Sequence, residues 1–231
     1  MATEYVLYKG YKFSSVAAES LAEVDNNLAQ VFKISLNIIQ GGFNPGGVEA
    51  SGAVHDKDAI DVSTIYLSDV QIAGTVVTLR MCGWAAWYRP PNWDGVGGAE
   101  HIHAVPNRWG MLSTAAYNQT TQYRAGTNGL VSRGPDNQLG STSRYRLMTW
   151  ADYKESDTMT QADFTTKLLT ALNDRHVQEA FMKLSQGATY GLDLNEDGKR
   201  DTVGQMIARM AKQMDDMAEK MDYLDKLARS E

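Results

Sequence analysis

The chain has 231 residues, of which 43% are hydrophobic and 22% charged, a composition typical of folded globular proteins. Its net charge of −6 and pI of about 5.3 exclude the basic footprint of nucleic-acid-binding proteins. No segment supplies the roughly 18 apolar residues of a membrane-spanning helix, and no apolar signal-peptide core follows Met1. We therefore expect no nucleic acid and no membrane as partners, and export by a route other than a signal peptide.

The predicted elements begin with a helix that runs from Ser14 to Phe32, with Ser14 or Ser15 as its N-cap. Its apolar residues recur at helical spacing. They are Val16, Leu21, Val24, Leu28 and Val31. A buried strand is predicted from Ile34 to Gly42, and a loop rich in glycine and proline follows it.

The middle of the chain alternates short strands with one helix. Short strands are predicted at residues 59–63, 84–88 and 100–105, and a helix from Leu67 to Met81. This order predicts an α+β fold with a small, mostly antiparallel sheet and flanking helices packed on one side. Arg124 to Arg146 is polar and rich in glycine, and is predicted to be a surface loop. Cys82 is predicted to be a small buried hydrophobic residue.

Three regions are predicted along the chain: residues 1–150 as the α+β domain, 151–192 as a helical linker region, and 193–231 as an acidic loop and a coiled-coil helix. Short helices are predicted at residues 162–172 and 175–184. From Val203 onward, apolar residues step by four and three, which is the coiled-coil pattern. They are Val203, Ile207, Met210, Met214, Met217, Met221, Leu224 and Ala228. This helix either mediates self-association and docking or folds back on its own domain.

Two places in the chain carry the residue types of a metal site. His55 and Asp61 are six residues apart, at the end of a loop and on the strand that follows. His103, on a neighbouring strand, is the candidate third ligand. Two histidines and one carboxylate leave a position for water, as catalytic zinc requires, whereas structural zinc takes four protein ligands.

Acid–base candidates lie beside His103. His101 alternates with it and should project from the same strand face, as an outer hydrogen-bonding group or a proton carrier. Glu100 is the candidate general base and acid. In a regular strand it faces away from His103, so it can serve the site only if the start of the strand is bent. Outside a metal site, such residues are more often ordinary surface or core polar groups.

The segments QGGFNPGGVEASGAVHDKDAIDVS, GWAAWYRPPNW, EHIHAV and YRAGTNGLVSRGPDN resemble domains of actinobacteria and their phages. Those domains are similar to the LAS-type zinc peptidases, the D-alanyl-D-alanine carboxypeptidase and L-alanyl-D-glutamate endopeptidase family that cuts peptidoglycan stem peptides. The resemblance covers roughly residues 10 to 140. His55 and Asp61 match the family's first ligand pair, and Glu100 and His103 match its second motif. Some members of the wider grouping carry a His-x-His pair, which His101 and His103 also match.

The resemblance implies a zinc cofactor, peptidoglycan stem peptides as substrate, and hydrolysis of an amide with Glu100 moving the proton. It also implies a phage endolysin released by a holin, or a tail-associated lysin, made in the host cytoplasm and acting at the cell wall. The alternative is a virion structural protein that reuses the fold without catalysis. Its partners, or copies of this chain, would assemble through residues 203–228.

The chain departs from the family pattern between its first two ligands. The interval from His55 to Asp61 is one residue shorter than usual and carries Lys57 and Asp58 in place of glycines. Asp58 is therefore an alternative to Asp61 as ligand, and loss of activity or binding of another divalent ion stays open.

Three further residues are candidates for substrate contact. The amide of Gln40 could polarise the substrate carbonyl, although a polar residue capping a loop is an equal reading. Arg89 could bind a substrate carboxylate and Trp87 could line a groove. A solvated arginine and a core tryptophan are the simpler readings of these two.

A second metal hypothesis concerns calcium. Asp193, Asn195, Asp197 and Asp201 fall at positions 1, 3, 5 and 9 of an EF-hand-like loop, but position 12 is Gly204 rather than a carboxylate. The sequence therefore predicts weak calcium binding, or an acidic turn that precedes the C-terminal helix, and leaves a calcium-regulated binding module as a third reading.

Overall fold

In the computed structural model, which describes residues 5–44, 53–91, 98–130, 134–136, 145–155, 166–167 and 170, the chain begins with a hairpin. Strands β1 (Val6–Tyr8) and β2 (Tyr11–Phe13) pair antiparallel. Lys9 and Gly10 connect them, and both have positive φ, as a two-residue hairpin turn requires. The sequence analysis did not predict this hairpin.

Helix α1 (Ser15–Phe32) has Ser14 as its N-cap, with the Ser14 side chain accepting from the Ala17 N–H at 3.3 Å. Its buried face includes Leu21, Val24 and Leu28, so the predicted helix and its apolar stripe are confirmed. The helix ends at Lys33, whose φ of 56° is left-handed and cannot continue it.

A four-stranded antiparallel sheet follows, in the order β3-β4-β6-β5. The strands are β3 (Ile38–Gln40), β4 (Ile60–Ser63), β5 (Trp84–Arg89) and β6 (His101–Pro106). The predicted α+β class with a small antiparallel sheet is confirmed. Strand β3 is shorter than the predicted strand at residues 34–42, because only Ile38–Gln40 pairs with β4. The register of this pairing shifts between Ile38 and Gln40.

Helix α2 (Asp69–Met81) connects β4 to β5 and confirms the helix predicted there. It opens with a capping box, in which the side chains of Ser68 and Gln71 each bond the other's backbone. Cys82 follows the last turn and is fully buried, as predicted. No helix within the described parts of the chain combines the length and the apolar run needed to cross a bilayer.

The two faces of the sheet are buried by different helices. The even-numbered residues of β6, Ile102 and Ala104, share one apolar cluster with α1 and α2. Val105 belongs to a second cluster, which contains Ala116 and Tyr123 of helix α3 (Thr114–Arg124). The expectation that the helices lie on one side is therefore wrong, because α3 covers part of the opposite face. That face carries the candidate ligands.

Two described parts of the chain after α3 pack onto this body. Asp136, inside the predicted surface loop, is buried and ion-paired at 2.9 Å with the fully buried Arg80, so the loop is not wholly on the surface. Helix α4 (Trp150–Glu155) packs on α1, where the hydroxyl of Tyr153 donates to Glu23 at 2.8 Å.

Most of the C-terminal predictions lie outside the described residues. This holds for the helix at 175–184, the acidic loop at 193–204 and the coiled coil at 203–228. It also holds for most of the helix predicted at 162–172, of which residues 166, 167 and 170 are described and helical.

Candidate metal centre

Strand register brings Asp61 and His103 together. Asp61 of β4 lies directly opposite His103 of β6, and His103 lies opposite Trp87 of β5. Residues opposite each other in an antiparallel sheet project from the same face. The Asp61 carboxylate and the His103 imidazole therefore meet, with Asp61 Oδ1 2.7 Å from His103 Nδ1.

His55 reaches the same carboxylate from outside the sheet. It is the last residue of a helical segment of which residues 53–55 are described, and a short loop leads from it into β4. Its side chain is 1% exposed, and its Nε2 lies 3.3 Å from Asp61 Oδ2. The interval of six residues between His55 and Asp61 is thus long enough for both side chains to face one point.

His55, Asp61 and His103 each offer a ligand atom, and these atoms all lie within 4.8 Å of one another. Such a cluster could bind one metal ion, as the sequence analysis predicted. Asp58, the alternative ligand, is not part of the cluster, because its carboxylate is bonded to Ser14 and to the backbone of Met111.

The outer nitrogens of both imidazoles face oxygen acceptors. Nδ1 of His55 is 3.2 Å from the carbonyl oxygen of Ala59, and Nε2 of His103 is 2.9 Å from Oε1 of Gln119. A carbonyl oxygen only accepts, so each outer nitrogen carries the proton. Each inner nitrogen then presents a lone pair toward Asp61, which is the tautomer that a metal ligand needs.

The atoms that face one another in the cluster are all suited to a cation. The inner nitrogens of His55 and His103 face a carboxylate, which also only accepts. A cation shared by the three side chains would satisfy the carboxylate and the lone pairs of both rings. The donor set thus fits a metal ion.

The pKa directions favour the ligand form. Burial alone would raise the pKa of Asp61, but hydrogen bonds with His103 and His55 and their charges hold it well below its usual range. Burial lowers the pKa of His103, against the opposing effect of Asp61. An ionised carboxylate and a neutral imidazole have no proton for a metal to displace.

His101 lies at the edge of this cluster. Its Nε2 is 3.7 Å from Asp61 Oδ1, and its Nδ1 is 2.8 Å from the carbonyl oxygen of Ala99. The ring is therefore oriented like the two candidate ligands, with its outer nitrogen on a carbonyl and its inner nitrogen toward Asp61. It is more exposed than His55 and His103, so it stands where a substrate could approach.

Glu100 lies on the other side of the sheet. Its Oε1 accepts a hydrogen bond from the hydroxyl of Tyr88, which belongs to the cluster packed on α1 and α2. Burial and the bond to Glu100 raise the pKa of Tyr88, and burial and the charge of Glu100 raise that of Asp69 at the start of α2. The start of strand β6 therefore lacks the bend that would bring Glu100 to His103. This corrects the placement of Glu100 expected from the sequence.

The ring of Trp87 packs against the ring of His103. The two rings stack, with centroids 6.1 Å apart and planes at 14°, and Trp87 is fully buried. The structure thus gives Trp87 a packing position rather than the groove-lining position expected from the sequence.

Arg89 and Gln40 flank the cluster on the neighbouring strands. Arg89 is opposite His101 and its guanidinium lies 5.2 Å from the centre of the Trp87 ring. Burial lowers the pKa of Arg89 to about 10, while Asp136 and Asp61 oppose the shift. It therefore stays cationic at neutral pH. Gln40 of β3 is the register partner of Asp61 and is partly buried.

The sequence analysis missed Gln119, which α3 carries to His103. Helix α3 was overlooked because its residues are mostly polar and its apolar positions are few. Ser113 is its N-cap, and no glycine or proline interrupts residues 111–125. These two features are the ones that could have revealed it.

Comparisons of the chain with protein-family models, with curated proteins and with solved structures found no match.

Proposed function

We propose that this protein is a zinc-dependent peptidoglycan hydrolase that cuts an amide bond of stem peptides, as an endolysin or a tail-associated lysin of a phage. The observation that carries the proposal is the convergence of His55, Asp61 and His103 on one point, with the outer nitrogen of each imidazole held by an acceptor. The resemblance to LAS-type peptidases supplies the substrate class.

Zinc suits this donor set better than the other common divalent ions. Two imidazoles favour zinc over magnesium and calcium, which take oxygen ligands, and three protein ligands leave a position for solvent. Zinc in such a site acts as a Lewis acid toward a carbonyl oxygen and lowers the pKa of a water molecule to about 7.

We assign the proton transfer to His101. Its Nδ1 is bonded to the Ala99 carbonyl, so its Nε2 is the ring atom that faces the cluster, 3.7 Å from Asp61 Oδ1. His101 takes a proton from the attacking water at Nε2 and delivers it to the leaving amine. Glu100, whose motif position matches the family's proton carrier, can take this role only by leaving Tyr88.

Arg89 and Gln40 complete the proposed site. Arg89 is cationic and lies across the strand from His101, so a substrate carboxylate beside the scissile amide would find a charged donor there. Gln40, opposite Asp61, would donate its amide N–H to the substrate carbonyl oxygen.

The proposal predicts that the purified protein holds about one zinc ion and frees amines from actinobacterial sacculi, measured by metal analysis and mass spectrometry. Chelator should abolish the release, and added zinc should restore it. His55→Ala should lose both metal and activity. Stoichiometric zinc without any freed amine would contradict the hydrolase.

A second prediction separates the two proton carriers. His101→Asn should lower kcat by about 10²–10⁴-fold while zinc content is kept, because the water loses its base. Glu100→Gln is the matched variant and should keep activity within a few-fold, since its side chain bonds Tyr88. The reverse pattern, with an inactive Glu100→Gln and an active His101→Asn, would return the role to Glu100.

The rival function is a non-catalytic virion component that reuses the peptidase-like fold. The placement of Glu100 against Tyr88, away from the cluster, favours this reading, because the family's proton carrier is then missing from the site. Such a protein would show no stoichiometric zinc and would form a defined oligomer in solution. Metal analysis together with light scattering therefore distinguishes it from a lysin.

A further inference from the structure

We propose that Asp58 is a positioning residue of the metal centre, whose buried carboxylate fixes the His55–Asp61 loop against the start of α3. The inference rests on the metal binding of the proposed function, but not on catalysis. Asp58 lies midway between the two candidate ligands His55 and Asp61 in the sequence.

The carboxylate of Asp58 is fully buried and accepts three hydrogen bonds. Oδ1 accepts from the N–H of Ser14 at 2.8 Å, and Oδ2 accepts from the Ser14 hydroxyl at 2.6 Å and from the N–H of Met111 at 2.7 Å. The Asp58 N–H in turn donates to the carbonyl oxygen of Met111 at 3.0 Å. One residue thus joins the ligand loop to two distant segments.

The ligand loop is also held on its other side. The N–H of Phe43 donates to the Lys57 carbonyl oxygen at 3.1 Å, and that of Asn44 donates to the His55 carbonyl oxygen at 3.0 Å. The loop is thus bonded along both sides over residues 55–58. The position of His55 relative to Asp61 is therefore fixed by contacts on both sides of the loop, and Asp58 makes those on the side of Ser14 and Met111.

Asp58 also affects the orientation of His103, through its contact with Met111. Met111 lies just before α3, and Ser113, the N-cap of α3, donates its hydroxyl to the Val54 carbonyl oxygen at 3.4 Å. Helix α3 carries Gln119, which holds the outer nitrogen of His103. The same carboxylate thus aligns the loop that bears His55 and the helix that orients His103.

The glycine next to Met111 makes this contact possible. Gly110 has a φ of +65°, and a Cβ there would lie 3.1 Å from Asp58 Oδ2. The chain can approach the carboxylate closely because no side chain intervenes.

Asparagine at position 58 tests the proposal, because it keeps the shape and loses acceptor capacity. Its NH₂ group would face donors at Ser14 or Met111, so the loop must shift to avoid donor–donor contact. Groups that orient metal ligands typically change metal affinity by about 10–100-fold when they are lost. We expect Asp58→Asn to raise the Kd for zinc by at least about tenfold.

Asp25→Asn is the matched control. Asp25 also accepts from three donors, the Leu36 N–H at 2.6 Å, the Ser35 hydroxyl at 3.0 Å and Lys9 Nζ at 2.8 Å, but it ties α1 to the segment before β3. Its substitution should lower the free energy of unfolding and leave the zinc Kd unchanged. A purely structural role for Asp58 would make the two variants alike.

The measurements use the full chain, folded by circular dichroism. Zinc Kd is read by competition with a chromophoric chelator, and the absorption spectrum of the cobalt-loaded protein reports the ligand geometry. A weaker Kd with an altered cobalt spectrum in Asp58→Asn alone is the expected result. Equal Kd values and equal spectra in wild type and Asp58→Asn would overturn the proposal.

If Asp58→Asn does not fold, Ser14→Gly tests the positioning role of Asp58 instead. Glycine keeps most of the N-cap stability but removes the hydroxyl bonded to Oδ2, so we expect a rise in zinc Kd of roughly threefold. An unchanged Kd would overturn the proposal. Because no substrate is used, a wild type that binds zinc without cutting peptides contradicts the hydrolase and leaves this test intact.

Discussion

Gln119 is the residue through which helix α3 acts on the candidate ligands. Its Oε1 holds the outer nitrogen of His103, so Gln119→Ala frees that ring to rotate or change tautomer. We expect the zinc Kd to rise by about 10–100-fold. Asn118→Ala, at the exposed neighbouring position of α3, should leave it unchanged. Equal affinities for the two variants, measured by competition titration, would contradict this role.

Asp25 contributes to stability in a pH-dependent way. Burial alone would raise its pKa, but hydrogen bonds from Lys9, Leu36 and Ser35, with the charge of Lys9, hold it below the usual value. A carboxyl with a lowered folded pKa stabilises the protein above its unfolded pKa of about 4, and this contribution is lost as the pH falls through the folded value.

Asp25→Asn should therefore lower the free energy of unfolding by about 1–2 kcal/mol at about pH 7 and by less at about pH 2.5. Urea denaturation at both pH values measures the difference. Asp152→Asn is the control for a carboxylate that is mostly exposed, and should change stability little at either pH. A difference between wild type and Asp25→Asn that is the same at both pH values would contradict the assignment.

At the scale of single residues, the sequence identified the candidate site residues that lie close to one another along the chain. The alternation of His101 and His103 predicted a shared face, and the spacing of His55 and Asp61 predicted a loop-to-strand pair. Strand alternation also predicted that Glu100 faces away from His103 in a regular strand, and the structure follows that rule. Gln119 and Asp58 were missed as positioning residues, because their partners lie far away in the chain.

At the scale of elements, the packing of α1 on α2 depends on Gly74. A methyl group there would overlap the ring of Phe32. Alanine usually stabilises a helix by about 1 kcal/mol relative to glycine, but overpacking costs about 1–3 kcal/mol. We expect Gly74→Ala to lower the free energy of unfolding, measured by urea denaturation.

A shorter side chain at position 32 provides the control. Phe32→Leu leaves room for the new methyl group, so the double variant should be less destabilised than the sum of the two single variants. A Gly74→Ala protein that is more stable than wild type would show that the helices separate at no cost.

Elements with strong periodicity were predictable, and the others were not. Helix α1 has an apolar stripe at helical spacing, and α2 is a long apolar segment between two predicted strands, so both were found. Helix α3 has few apolar positions, and hairpin β1–β2 has only three residues per strand. Elements of this kind are stabilised mainly by contacts with the rest of the fold, which local sequence patterns do not reveal.

At the scale of the whole molecule, zinc should stabilise the folded state. The three candidate ligands are residues 55, 61 and 103, which unfolding separates, so an ion held by them would bind the native chain preferentially. Zinc at about 100 times its Kd should add about 2.7 kcal/mol and raise Tm by several degrees. Scanning calorimetry of wild type and of His103→Ala, which should show no shift, tests this. An equal shift in both proteins would mean that zinc binds elsewhere.

In strands β4, β5 and β6, the parity of the residue number decides which face of the sheet a side chain occupies. In β6, Ile102 and Ala104 pack on α1 and α2, whereas His101 and His103 project from the opposite face. Substitutions at the donor positions can therefore exchange the donor atoms for those that suit another ion, while Ile102 and Ala104 keep the packing on α1 and α2 intact. Such a scaffold lends itself to evolving, or engineering, new chemistry on one surface without rebuilding the other.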